Sequence, residues 1–400
     1  MELSKIAKSI SPSLTLALTA KAAQMRAEGR DVISLSAGEL DFMPPEEARK
    51  AAEDAIEKGL IKYTSSYGLP SLREEVANYI NRRYGTSLSR ENIIITPGAK
   101  YALFAAMLAL LDTGDEVLIP IPYWVSYPEM VKLAGGKPVF VQTRPEDGFR
   151  LDPENIGASV TSKTKIFILN NPVNPTGVVY GKSEVRKIID SLPESTVILS
   201  DEIYESLVLE GEFGSLLQLG EDLLERAIVV SGVSKSFAMT GWRLGWAVGK
   251  PDVISAIAKI QAHQTSNPCT VSQYATIAAL KYCQKFAEEL KPVIKRRRDL
   301  ALELLSDTKG FKPLKPNGAF YIYCDVRDLL SDEIPSSMAL ADFLLEKANV
   351  ATVPGEAFGT PGFLRISIAE SEERIAEAAR RIKKHCKERC KHAGKRRSSH

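Results

Sequence analysis

A lysine between two serines follows a short apolar run. Residues 228–231 lead into Gly232-Val233-Ser234-Lys235-Ser236, and Arg243 comes one loop later. An amine in a desolvated, cationic setting loses its proton readily and attacks carbonyl carbon, so Lys235 is a candidate Schiff-base lysine. Arg243 suits a phosphate. Taken alone, a lysine is nearly always a surface charge. Asp201-Glu202-Ile203-Tyr204 follows the run 196–200. A carboxylate at the end of a buried strand is costly unless it meets a cation or donors. Asp201 therefore reads as a helix cap or as the partner of a protonated ring nitrogen, with Tyr204 reaching a ring hydroxyl.

Four further blocks follow the same pattern. Pro97-Gly98-Ala99-Lys100 opens a helix whose free N–H groups could bind an anion, or it is an ordinary strand-to-helix turn. Trp124 follows the run 116–119 and offers a flat face to a ring, although a core tryptophan is the commoner case. Asn170 to Gly177 is a rigid, proline-punctuated turn from which Asn174 could donate into a site. Arg365 interrupts the apolar run 363–368 and needs a partner, either a substrate carboxylate or a structural ion pair.

The elements that must hold these residues alternate. Short apolar runs at 92–96, 116–119, 138–142, 165–169, 196–200, 228–231 and 245–248 read as buried strands, with helical patterns such as 99–111 and 182–191 between them. This rhythm predicts an α/β fold: a large domain with a mostly parallel sheet covered by helices. Ligands of such sheets bind beyond the carboxyl ends of the strands, where the unusual residues lie. Helices over 271–291 and 296–307, with Pro292 between them, lead to strands at 318–326 and 363–368 and helices at 336–347 and 372–389. These form a smaller α+β unit. The expected division is 1–45 for an N-terminal arm and part of the small domain, 46–290 for the large domain, 291–390 for the small domain and 391–400 for a basic tail.

Bulk properties narrow the class. The 400 residues are 44% hydrophobic and 26% charged, enough for a large core. A net charge of +2 gives no pull toward nucleic acid or anionic membrane. No apolar run reaches the ~18 residues of a membrane span, and residues 1–11 lack a signal-peptide core. Five scattered cysteines point to a reducing cytoplasm. His385, Cys386, Cys390 and His392 in the basic tail are metal-donor types at unsuitable spacing, and a solvated tail is the preferred reading.

The blocks Asn171-Pro172-Val173-Asn174-Pro175-Thr176-Gly177, Ser200-Asp201-Glu202-Ile203-Tyr204 and Ser234-Lys235-Ser236-Phe237 with Gly241-Trp242-Arg243 together resemble the fold type I, class I aminotransferases of the aspartate aminotransferase family. The resemblance runs from Ser36-Ala37-Gly38-Glu39 to the Arg365 strand. It implies pyridoxal 5'-phosphate (PLP) as cofactor, joined to Lys235, which would also shuttle the Cα proton. Asp201 would keep the ring nitrogen protonated, Asn174 and Tyr204 would bond the ring oxygen, and Trp124 would stack on the ring. Gly98, Ala99, Lys100, Ser234 and Arg243 would surround the phosphate, helped by Tyr63 of a neighbouring subunit in a homodimer with shared sites. Arg365 and the Gly38 backbone would hold the substrate α-carboxylate. Lys100 stands where a thermophile-type subgroup binds the distal carboxylate. The implied reaction is aspartate plus 2-oxoglutarate to oxaloacetate plus glutamate, by ping-pong kinetics through pyridoxamine phosphate.

Two departures stand out. Leu40 replaces a proline usual in the Gly38–Phe42 block, and Gly232 replaces a phosphate-binding serine of some relatives, leaving Ser234 or Ser236 as the hydroxyl. Rivals of the same fold are an aromatic or kynurenine-type aminotransferase and a cysteine-conjugate β-lyase. A nucleotide-binding oxidoreductase is disfavoured because no Gly-x-Gly-x-x-Gly follows the first strand.

Overall fold

Ile93–Thr96 is the first of seven strands in one sheet, ordered in space as Ile93–Thr96, Gly245–Val248, Ala227–Gly232, Val197–Asp201, Thr164–Asn170, Glu116–Pro120 and Lys137–Val141. Only Gly245–Val248 runs antiparallel to its neighbours. The computed structural model describes residues 2–397, with side chains as far as Lys387. Except in the partly exposed edge strand Lys137–Val141, successive residues of the strands enter different cores. Ile94, Val117, Ile166 and Leu199 pack toward the helices Ala99–Leu110 and Pro251–Gln264. Ile93, Leu118, Phe167 and Ile198 pack toward Pro70–Tyr84, Lys182–Asp190 and Thr270–Tyr282. Both faces are dry, which is why these strands read as continuous apolar runs. Each fully buried isoleucine contributes about 1.5–3 kcal/mol.

The second unit is an antiparallel sheet ordered Val353–Pro354, Phe363–Ser367, Tyr321–Asp325, Lys312–Leu314. Near it the strand Ile33–Ser34 pairs in parallel with Val350–Ala351, so an N-terminal segment joins the C-terminal unit. Asp41 forms a bidentate bridge to Arg297, at 2.7 and 2.8 Å, on the long helix Phe286–Ser306. Leu40, beside it, is buried in the core, where its side chain does the packing expected of neither a turn nor a proline.

Two features differ from expectation. The helix break falls between Tyr282 and Phe286, not at Pro292, which lies inside the helix Phe286–Ser306. Buried Cys283 and the stacking of Phe286 on Phe237 fix the break. Pro292 sits on the exposed face, and the carbonyl it leaves unbonded belongs to exposed Glu288, where water can serve. The last helix runs Glu372–Arg397. In it, His385 Nε2 lies 2.8 Å from the Lys347 carbonyl oxygen and Cys386 packs into the core. Cys390 and His392 lie outside the described side chains. Among the described residues, no helix is long and apolar enough to cross a membrane.

Candidate active site

A cavity of about 390 Å³ lies where the carboxyl ends of the parallel strands face Tyr321 and Arg365 of the small sheet. Of the thirteen residues singled out above, eleven line it: Gly38, Ala99, Lys100, Trp124, Asn174, Asp201, Tyr204, Ser234, Lys235, Arg243 and Arg365. Gly98 stands just behind Arg243. Tyr63 does not line it and is 88% exposed.

Lys235 lies on the one-turn helix Val233–Ser236, which begins directly at the end of strand Ala227–Gly232. Its Nζ donates to the Gly38 carbonyl. Burial pushes its pKa down to about 8, with the Arg365 and Arg243 cations adding to the effect and Glu39 opposing it. An amine so placed is neutral in a useful fraction at physiological pH, as a nucleophile or base must be. Thr240 donates to Glu39 across the mouth of the cavity.

Asp201 ends strand Val197–Asp201 and is buried. Its Oδ2 accepts from Tyr127 Oη at 2.7 Å and its Oδ1 from the Ile203 N–H at 3.2 Å. Neither donor carries a full positive charge. Burial therefore dominates and raises the carboxyl to about 6. The sign follows from linkage: a group whose folded pKa lies above its unfolded one stabilises below the unfolded value, and that stability is lost as pH rises through the folded value. In the chain with nothing bound, ionising Asp201 between pH ~4 and ~6 should cost roughly 3 kcal/mol. Neighbouring Glu202, raised by burial to about 7, adds a similar slope. The difference in Tm between the parent chain and Asp201→Asn isolates the first group. We expect the asparagine variant to gain stability relative to the parent from pH 4 to pH 7. An unchanged difference across that range would refute the burial cost.

The anion end is built from backbone. Gly98 has φ +89° and a Cβ there would stand 2.7 Å from Arg243 Nη2. Only glycine lets the guanidinium lie against the start of helix Ala99–Leu110, whose first N–H groups are free for an anion. Arg243, itself at φ +51°, is anchored by its Nη1 to the Thr240 carbonyl at 2.8 Å. Gly232 cannot be serine here, because a Cβ would meet Gly245 Cα at 2.8 Å and the Leu244 carbonyl oxygen at 2.9 Å. Ser234 faces the cavity, whereas buried Ser236 does not line it.

Arg365 is 3% exposed. Its Nη1 donates to Asn174 Oδ1 at 3.0 Å and its Nη2 to the Ser36 carbonyl at 2.7 Å, while Nε has no partner among the described residues. With Oδ1 so used, Asn174 has its Nδ2 left to donate. Asn174 N–H in turn donates to Asn170 Oδ1 at 2.8 Å, and Asn170 Nδ2 to the Asp201 carbonyl at 2.9 Å. By contrast Asn171 is structural, bonded to Tyr180 and Gly214. Lys100 Nζ stands over the Trp124 ring, 4.9 Å from its centroid. Partial desolvation and then the Arg243 cation hold its pKa below the ordinary lysine value.

Four contributors escaped the sequence reading: Tyr127, Asn170, Tyr321 and the Ser36 carbonyl. Tyr127 stands three residues after Trp124 and opens the helix Tyr127–Leu133, and its nearness to Trp124 was the available signal. Tyr321 and Ser36 carried no local signal, since each reaches the site from a distant segment.

The arrangement combines a nucleophilic amine, a buried carboxylate awaiting a cation, an anion cradle and a guanidinium suited to a carboxylate. Residues 30–382 match the family described as aminotransferase class I and II. The chain is 44% identical over 378 residues to the aspartate aminotransferase of Bacillus sp. (strain YM-2), covering 94% of this chain and 96% of that protein. It is 42% identical to the probable aspartate/prephenate aminotransferase of Aquifex aeolicus, covering 94% and 96% respectively. The solved structure of Thermus thermophilus aspartate aminotransferase with maleate superimposes with a TM-score of 0.91 at 42% identity, covering 96% of this chain and 99% of that one. A full-length match in sequence and fold, around a cavity holding that set of groups, leads to one conclusion: the chain belongs to the class I and II aminotransferases.

Proposed function

We propose that the chain is a PLP-dependent aspartate aminotransferase, transferring the amino group of aspartate to 2-oxoglutarate. The observation that carries this reading is one cavity holding buried Lys235, Asp201 and Arg365 together. The donor set fits PLP. Asp201 lacks a full cation and a protonated ring nitrogen would supply one. The glycine-backed cradle of Gly98, Ala99, Ser234 and Arg243 suits a phosphate, and Asn174 Nδ2 and Tyr204 Oη suit a ring oxygen. Trp124 offers the stacking face.

When bound, PLP supplies an electron sink for the bonds at the amino acid's Cα. The chain's residues do the rest. Arg365 grips the α-carboxylate through its unused N–H groups and so orients Cα. Lys235, with its proton affinity reduced, takes the Cα proton as base and returns it as acid. Asp201 holds a proton on the ring nitrogen rather than on itself. Lys100 binds the distal carboxylate of aspartate, which leaves its place over Trp124 for a stronger partner.

Addition of aspartate to the PLP-loaded protein should bleach its visible absorbance, and 2-oxoglutarate should restore it. A protein with no visible band, or one indifferent to aspartate, would refute the reading. The distal-carboxylate role has its own test. Lys100→Ala should lower kcat/KM for aspartate roughly 10- to 100-fold, the worth of one charge-assisted hydrogen bond, and change alanine turnover far less. Equal losses for both substrates would remove Lys100 from specificity.

The same reading includes a homodimer in which Tyr63 of a second copy completes the phosphate end. Its support is the exposure of Tyr63 at 88%, beside Ile61 at 61%. It also includes a cytoplasmic setting, supported by four cysteines that form no disulfide among the described residues, and the large-domain and small-domain division at 46–290 and 291–390.

A further inference from the structure

Tyr321 touches two residues with different duties. In the small sheet Tyr323 pairs directly with Arg365, so Tyr321, two residues earlier, lies diagonally across the same face. From there its ring underlies the Arg365 guanidinium, 4.2 Å from centroid to Cζ, and the Phe358 ring is 5.1 Å from the same atom. Two aromatic rings confine the guanidinium, which leaves its N–H edge as the part free to recognise a carboxylate. At its other end Tyr321 Oη lies 3.0 Å from Tyr204 Oη, and both side chains are buried. Tyr321 Oη also fills the space a Cβ at Gly38 would need, at 2.5 Å. Only one hydroxyl of the pair can donate to the other, which leaves the second proton for another acceptor.

We infer that Tyr321 is a positioning residue that fixes both halves of the site, holding the Arg365 fork by its ring and aiming the Tyr204 hydroxyl by donating its own proton to it. The cation at its ring face settles the direction of the hydrogen bond. A guanidinium above a phenol draws electron density from it and makes its O–H the better donor. Tyr204 then accepts from Tyr321 and keeps its own proton for a ligand in the cavity. The charged groups facing this pair are Arg365, Asp201 and Lys235. Arg365 and protonated Lys235 offer no acceptor to Tyr321, and the Asp201 oxygens already accept from Tyr127 and the Ile203 N–H. The inference rests on the function proposed above, because the ligand of Tyr204 is taken to be the PLP ring oxygen.

The two duties can be separated by substitution. Tyr321→Phe keeps the buried ring and removes the hydroxyl, so it is the variant on which the inference stands. A weaker donor at the ring oxygen leaves more negative charge beside the Lys235 nitrogen, which then keeps its proton to higher pH. In the PLP-loaded Tyr321→Phe protein the pH midpoint of the visible absorbance change should rise by about 0.5 unit or more. Its KM for aspartate should stay within about twofold of the parent, since the ring under Arg365 remains, while kcat falls. Tyr321→Leu should show the same midpoint shift and, in addition, a KM raised about tenfold or more. An unmoved or lowered midpoint in Tyr321→Phe would overturn the donor role. An equal rise in KM for both variants would overturn the stacking role. The parent protein separates these failures from failure of the function itself. If its own visible band does not respond to aspartate, the function fails, and if it responds while Tyr321→Phe behaves like the parent, only the inference fails.

Discussion

Lys235→Ala protein is expected to retain no PLP after borohydride treatment and to transaminate aspartate about 10²–10⁴-fold more slowly from loss of proton transfer alone. Among the described residues lining the cavity, Lys100 is the one other amine. Lys235 Nζ is held by the Gly38 carbonyl at the cavity floor, and Lys100, the other lysine on the wall, is drawn over Trp124. Lys235→Arg should be equally inactive, because a guanidinium stays charged and cannot serve as base at any working pH. Misfolding is not the expected cause. Burial lowers the folded pKa of Lys235 to about 8 from its ordinary 10.5, so the buried cation is a burden at neutral pH. The unfolded chain binds more protons between those values, so this group's contribution to stability rises as pH goes from about 8 to 10.5. Below pH 8 its charge costs up to roughly 3 kcal/mol. Lys235→Ala should therefore keep or raise the Tm of the ligand-free chain at pH 7. A lowered Tm with lost activity would point to a structural lysine and sink the assignment.

Arg365→Met should lower kcat/KM for aspartate by roughly 2–5 kcal/mol, or about 30- to several-thousand-fold, with binding of dicarboxylate inhibitors weakened in parallel. Among the described residues its partners are an amide oxygen and a backbone carbonyl, both neutral, and its buried Nε has none. A buried cation so arranged gains most when a carboxylate arrives. Methionine matches much of the volume and needs no solvation, so the ligand-free Tm should change little, since buried charges replaced by apolar groups are often neutral for stability. Arg365→Lys should recover only part of the loss. An ammonium cannot present two parallel N–H groups or lie flat between Tyr321 and Phe358. Unfolding of Arg365→Met with full activity in the remaining folded fraction would contradict this account.

Much of the cavity was legible because it is made of strand ends. Buried strands of a parallel sheet are apolar throughout, so each polar residue just beyond one is conspicuous. Lys235, Asp201, Trp124 and the Asn174 turn all announce themselves in that way, and Arg365 does so by interrupting a strand. The helix start at Gly98-Ala99-Lys100 is likewise a local matter of backbone conformation.

Other features depend on which segments meet in space. The position of Pro292 on an exposed helical face, and of the break at Cys283, depends on what Phe286 packs against, and no local pattern contains that. Tyr321 is one of several aromatic residues in an alternating strand, and only the register of that strand against Phe363–Ser367 puts its ring under Arg365. Tyr127 becomes the partner of Asp201 only when the helix Tyr127–Leu133 settles over a strand 70 residues away in sequence order. Gly232 is glycine because strand Gly245–Val248 runs alongside it. By itself the sequence determined where charge and reactive groups must leave the sheet, since burial forbids them within it. The tertiary structure decided what each one faces, since hydrogen bonds and desolvation depend on neighbours that the chain brings together only by folding.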